Sequence, residues 1–133
     1  MSRTVLLRLL KFSAVGGIGV GVQLGMLALF RVMGINFLPA TALAVECAVL
    51  HNFLWHCYFT WSDRKPQRVS DFRSSLIRFH LSNGLISLVG NLLLMWILMR
   101  NSKLGLLQAN TVSIATCYVA NFLAGDRWVF RLS

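Results

Sequence analysis

A chain of 133 residues has room for one domain, and this one is 56% hydrophobic and only 13% charged, with a formal charge of +9. A soluble domain of this length is about a quarter charged and under half apolar, so composition excludes an ordinary water-soluble enzyme. The positive charge does not point to nucleic acid either, because the basic residues sit at the ends of apolar runs and no soluble scaffold remains to present them.

In chain order, Arg3 and Arg8 precede an apolar stretch from Phe12 to Met33. It is too long for a signal-peptide core and lacks a cleavage site at the right distance, so it is expected to stay as a helix. Gly34-Ile35-Asn36 forms a short turn into a second apolar stretch, Phe37 to Thr60, with Pro39 in its first turn where a missing N–H costs nothing. A polar linker from Ser62 to Ser75 follows. Then come a third stretch, Leu76 to Met99, a turn at Asn101-Ser102-Lys103, and a fourth stretch, Leu104 to Val129. Each stretch is long enough to cross a hydrocarbon core of about 30 Å at 1.5 Å per residue. The expected fold is an all-α membrane protein of four transmembrane helices in two hairpins, forming a single domain over 1–133.

Ten of the thirteen basic residues fall on one side of this arrangement, Arg31, Arg100 and Lys103 being the others. The positive-inside rule then puts both termini and the central loop in the cytoplasm, and the expected location is the cytoplasmic (inner) membrane. The three cysteines lie in apolar stretches without paired spacing, and the spacing of His51, His56 and Cys57 does not stack them on one helical face. Neither a disulfide framework nor a metal site is expected, and no cofactor is implied.

The chain also matches itself. Lys11-Phe12 opens one half and Arg78-Phe79 the other, with Gly17 opposite Gly84. NFLWHCYFTW, from Asn52 to Trp61, aligns with NFLAGDRWVF, from Asn121 to Phe130. Repeat one covers about 8–61, the basic loop 62–75 and repeat two about 76–130. Both halves enter from the same side, so these are parallel repeats about an axis near the membrane normal, a plan common in transporters but also suited to a plain helix bundle.

The basic-Phe opening before a glycine-bearing helix and the Asn-Phe-Leu…aromatic-x-aromatic ending, used twice from Arg8 to Phe130, resemble the GtrA-like family of small membrane proteins. The second ending, with Asn121, Phe122, Arg127, Trp128 and Phe130, is most similar to the family pattern. The first has Cys57 and Tyr58 where basic residues are usual. The resemblance implies a role in cell-surface polysaccharide synthesis: translocation of a polyprenyl-phosphate-linked sugar from the cytoplasmic leaflet to the outer one, where a separate membrane glycosyltransferase uses it. The residues themselves offer no pair of acids, nucleophile with base, phosphate loop or metal constellation, so no enzyme activity is expected.

Several residues are candidates for that work. Polar groups in hydrocarbon face a neighbouring helix or a wet cavity. His80, Ser87 and Asn91 fall within about 20° of one line on the third helix, with Asn83 beside them. Asn110, Cys117 and Asn121 do so on the fourth, flanked by Ser113. Such stripes suit sugar hydroxyls, and equally suit hydrogen bonds between helices. Glu46, roughly 13 Å from its helix end, is a candidate for proton coupling or a sugar contact. His51 and Asn52 are further polar candidates on that helix but point away from Glu46. Arg8, Lys11, Arg78 and Arg127 are the candidates for capturing a lipid phosphate, with topology anchoring as the alternative. Gly17, Gly21 and Gly25 make GxxxG twice over, a face for helix packing within the monomer or between copies of a homo-oligomer.

Two other functions are weighed. One is a non-transporting subunit that anchors a glycosyltransferase. The other is a small proton-coupled drug exporter, which would need an aromatic cage around Glu46, whereas its one-turn neighbours are Ala42, Leu43, Val49 and Leu50.

Overall fold

A computed structural model of the chain describes residues 2–131, the side chains of 106 and 107 apart. The described residues are helical with short connections and no strand, and they separate after Lys65 into two compact units.

In the first unit, α1 runs over Arg3–Val32 and begins nine residues before the expected Phe12. The segment RTVLLRLLK contains strong helix formers and no glycine or proline, and the Ser2 hydroxyl accepts from the Val5 N–H at 3.4 Å. Gly34 ends the helix with φ +82°. The Gly34 N–H bonds to the Arg31 carbonyl and the Ile35 N–H to the Phe30 carbonyl, the paired closure that a left-handed glycine allows. The Arg31 guanidinium then donates to the Ile35 carbonyl at 2.9 Å. This sharp reversal returns the chain as α2 (Phe37–Trp55), which packs along α1. A π-helical turn, His56–Thr60, continues α2 to the residue at which the span was expected to end.

The buried seam of α2 is Ala40, Ala44 and Ala48, one residue per turn, followed by Phe53. Lipid offers no hydrophobic drive to bring helices together, so small residues that let backbones approach are what hold such a pair. On α1 the buried positions are Val15 and Gly19. A Cβ on Gly19 would lie 2.2 Å from Asn52 Oδ1, so this is the close approach of the two helices. Gly17, Gly21 and Gly25 stand in open space, where an added methyl group would find no atom within 4 Å. The packing glycine of this hairpin is therefore two residues from the periodic series, because that series lies on the opposite side of α1.

The second unit begins with α3 (Val69–Gly84), which passes through a π-helical segment, Leu85–Gly90, into α4 (Asn91–Asn101) as one continuous rod. The expected 62–75 linker is thus shorter. After a single turn of 3₁₀ helix at Ser62–Arg64, only the residues up to Arg68 are extended or bent before α3 starts. The stretch is polar enough to resemble a loop, yet its apolar positions recur at helical spacing and Asp71 sits in the first turn, where the helix dipole favours an acid. After Ser102–Gly105 the chain returns as α5 (Leu106–Ala124) and ends in a second π-helical turn, Gly125–Val129. Gln108 Oε1 accepts from the Gly105 N–H at 3.0 Å and so caps α5.

Arg3–Val32, Phe37–Thr60 and Val69–Asn101 are each long and apolar enough to cross a membrane, and α5 with its π-turn is of comparable length. The chain is a multi-pass membrane protein.

Candidate functional site

Both units close with the same set of contacts at the end where their helices meet the basic loop and the C-terminal segment. In the first, the π-turn lets the Trp61 N–H reach the His56 carbonyl at 2.8 Å. In the second, the Phe130 N–H reaches the Gly125 carbonyl at 3.0 Å. The wider turn folds each aromatic underneath its own helix, and Trp61 and Phe130 are both buried. Phe12 lies edge-on to Trp61 with centroids 6.0 Å apart, and Phe79 faces Phe130 at 6.3 Å. Lys11 Nζ donates to the Phe59 carbonyl at 3.1 Å, and Arg78 Nη1 donates to the Trp128 carbonyl at 3.5 Å. A helix end leaves carbonyls without partners, and a cation from the neighbouring helix satisfies one in each unit.

The two ends differ in their electrostatics. In the first unit Arg8 Nη2 bonds to Asp63 Oδ2 at 2.5 Å, and Arg64 Nε lies 3.8 Å from the same oxygen. Lys11 is also engaged with the Phe59 ring, 4.8 Å from its centroid. His56 is sealed behind it, stacked on Phe12 at 4.8 Å and paired with Thr60 Oγ1 at 3.0 Å. Of the four candidate phosphate ligands, Arg8 is thus held by a carboxylate and Lys11 by a carbonyl.

In the second unit a groove of about 630 Å³ runs along the start of α3, lined by Val69, Ser70, Arg73, Ser74, Ile77 and Arg78. Arg78 uses one guanidinium N–H on the Trp128 carbonyl, which leaves others to point elsewhere. Arg73 and Arg127 are exposed and form no ion pair with a described residue, and Trp128 beside Arg127 is 46% exposed. Two forked cations and two hydroxyls beside apolar Val69 and Ile77 suit an amphiphile with an anionic head. Ser70, Arg73 and Ser74 lie outside the expected site because they belong to the polar stretch that resembles a linker. Their spacing, with Ile77 and Arg78 one turn on, is the signal that would have placed them on one helix face.

Farther along the second unit, Asn121 Nδ2 donates to Ser87 Oγ at 2.9 Å and the Ser87 hydroxyl donates to Asn83 Oδ1 at 3.5 Å. The Cys117 thiol donates to the Ile86 carbonyl at 3.3 Å, using a backbone group inside the π-helical segment. Three of the expected polar residues are therefore joined in one chain across α3 and α5. His80 turns back to its own helix, with Nδ1 3.1 Å from the Leu76 carbonyl. Asn91 and Asn110 are half-buried on α4 and α5. In the first unit His51 Nδ1 meets Asn52 Oδ1 at 3.2 Å, while Glu46 is exposed on the face of α2 opposite the alanine seam.

Comparison with known proteins places these contacts in context. The family model for the GtrA/DPMS transmembrane domain matches residues 11–130. A curated relative, the dolichol-phosphate mannosyltransferase of Pyrococcus furiosus, is 37% identical over 118 residues, which is 87% of this chain and 32% of that protein. The chain spans about a third of the length of the curated relative it matches.

Proposed function

Because the chain belongs to the GtrA/DPMS transmembrane domain family, we propose that it moves a polyprenyl-phosphate-linked sugar between the leaflets of the cytoplasmic membrane, with both termini and the basic loop on the cytoplasmic side. The observation that carries this reading is the groove of Ser70, Arg73, Ser74 and Arg78 on α3. A lipid phosphate at the headgroup level meets two arginines there, while its polyprenyl tail stays in the surrounding lipid. The matching closure of the two units supports a duplicated hairpin, parallel in its two copies. Such a small protein encloses little volume, so the headgroup would travel along a groove and no bond would be broken.

A second reading rests on the relative's length. A protein three times as long and named a mannosyltransferase contains a region like this chain, which favours a chain that positions a glycosyltransferase without transporting anything.

Reconstitution in liposomes separates the two. A fluorescent polyprenyl-phosphate hexose should reach the opposite leaflet faster than in empty vesicles, and Arg73→Ala with Arg78→Ala should slow it by about tenfold or more, the loss of one to two charge-assisted contacts. A wild-type rate equal to that of empty vesicles leaves only the positioning role.

A further inference from the structure

We infer that the second unit holds a binding site for the hydroxyl groups of a neutral, polyhydroxylated headgroup, centred on Ser113 and Asn91 where α5 passes the rod of α3 and α4. The inference rests on the reading proposed above and locates the sugar part of that ligand, apart from its phosphate.

Hydroxyls in a membrane helix have a simple remedy, which is to bond to their own helix three or four residues back. Ser13, Thr41, Ser82, Ser102 and Thr116 all do this, at 2.5 to 3.1 Å. Ser113 does not. It is fully buried, and among the described residues its Oγ has no hydrogen-bond partner; the same is true of Asn91 Oδ1. Orphaned buried polar atoms are rare in folded proteins and call for an explanation in each case.

The first unit supplies a comparison. Its seam, Ala40-Ala44-Ala48, is set 69 residues before Ala109-Ser113-Cys117, and both series are buried in the same order. At the 67-residue offset that relates Phe12 to Phe79, the positions of Asn83, Ser87 and Asn91 are filled in the first unit by Gly16, Val20 and Leu24. The hairpin therefore packs without any of these polar groups. Where the first unit has Ala44 and Leu24, the second has Ser113 and Asn91.

No residue from Leu85 to Asn101 is buried, and the rod meets α5 through a half-buried stripe that includes Gly90, Asn91, Leu94 and Leu98. The π-helical segment at the start of α4 is bounded by Gly84 and Gly90, and such segments mark functional positions in helices. The chemistry narrows the ligand. Both orphan atoms accept hydrogen bonds, and among the described residues no cation joins the Asn83–Ser87–Asn121 chain of the same unit. A phosphodiester has no proton to donate and calls for a cation, whereas a sugar hydroxyl donates and accepts.

The test measures binding of two probes to the purified protein in nanodiscs: a mannosyl or glucosyl polyprenyl phosphate, and the same polyprenyl phosphate without its sugar. Wild type should prefer the glycosylated lipid by about tenfold or more, the discrimination expected of a site built to bond hydroxyls. Ser113→Ala with Asn91→Leu should abolish that preference and leave affinity for the bare lipid phosphate unchanged. The reciprocal Ala44→Ser with Leu24→Asn should leave the preference intact. Should the double variant fail to fold, Ser113→Ala alone carries the same expectation. Preference retained in the variants overturns the inference, as does a wild type that binds both lipids equally, although the lipid-phosphate reading then survives. Binding of neither lipid by wild type removes the proposed function as well.

Discussion

Gly19 offers a direct test of which face of α1 holds the first hairpin together. A methyl group at this position would stand 2.2 Å from Asn52 Oδ1 and 2.6 Å from its Nδ2, so the amide must retreat by roughly 1 Å to reach ordinary contact distance. Asn52 is half-buried and tied to His51 Nδ1 at 3.2 Å, so that retreat costs the bond and forces a poorer rotamer. Overpacking of this kind is worth about 1–3 kcal/mol. At about 2 kcal/mol, Gly19→Ala would lower the ratio of folded to unfolded protein by roughly 30-fold. Gly17→Ala and Gly21→Ala meet nothing within 4 Å and should be neutral or stabilising by up to about 1 kcal/mol through helix propensity. Reversible unfolding in mixed detergent micelles, followed by tryptophan fluorescence, measures all three. Adding Asn52→Ala to Gly19→Ala removes the obstacle and should recover most of the loss, a coupling that a double-mutant cycle reads directly. The packing argument is wrong if Gly19→Ala is as stable as Gly17→Ala, or if removing the Asn52 amide rescues nothing.

Three further expectations concern the ends of the units. Lys11→Met should cost about 1 kcal/mol in the same unfolding assay, since it strips the Phe59 carbonyl of its donor while keeping the side chain's apolar stem, and Lys11→Arg should restore it. Asp63→Asn should change stability by less than about 1 kcal/mol, because the carboxylate is largely exposed. By releasing Arg8, it should nonetheless raise binding to vesicles rich in anionic lipid, and unchanged binding would show that Arg8 is not restrained by this pair. For topology, a single cysteine at Ser62 and one at Ser102, each in a cysteine-free background, should react with an impermeant maleimide from opposite sides of the membrane. Labelling of both from one side would rule out the proposed orientation.

Much of this architecture is legible in residue patterns because the features that set it are local. The turn at Gly34, the ending after Asn-Phe-Leu and the basic-Phe pair at each opening all announce themselves in a few neighbouring residues. The lengths of α1 and α3 are less legible. Hydropathy reports which residues suit lipid, and a helix that continues beyond the apolar stretch, as at Arg3–Lys11 and Val69–Ser75, leaves no mark on that scale. Gly19 is hidden for a different reason. Glycines at 17, 21 and 25 form a regular series, but regularity identifies a face without saying what it meets, and the partner that selects Gly19 is an amide 33 positions later. The restraint of Arg8 by Asp63, 55 residues away, likewise becomes visible only once the hairpin is closed.

The two hairpins share a set of contacts and fill it with different chemistry, and the difference has a physical direction. In the first, the aromatic groups of Phe12, His56 and Trp61 stack behind Lys11, the arginine at the end is neutralised, and the seam is alanine. Each of these choices favours close packing, which is the main source of stability available to helices in lipid. In the second, a glycine replaces His56, a serine and a cysteine enter the seam, and the arginines face an open groove. The glycine forgoes an aromatic contact, and Ser113 and the groove arginines are left able to engage something else. A pair of structurally equivalent substitutions should therefore have opposite signatures: at 44 or 24, polar residues should lower stability and leave ligand preference unchanged, whereas at 113 or 91, apolar residues should leave or raise stability and erase the preference.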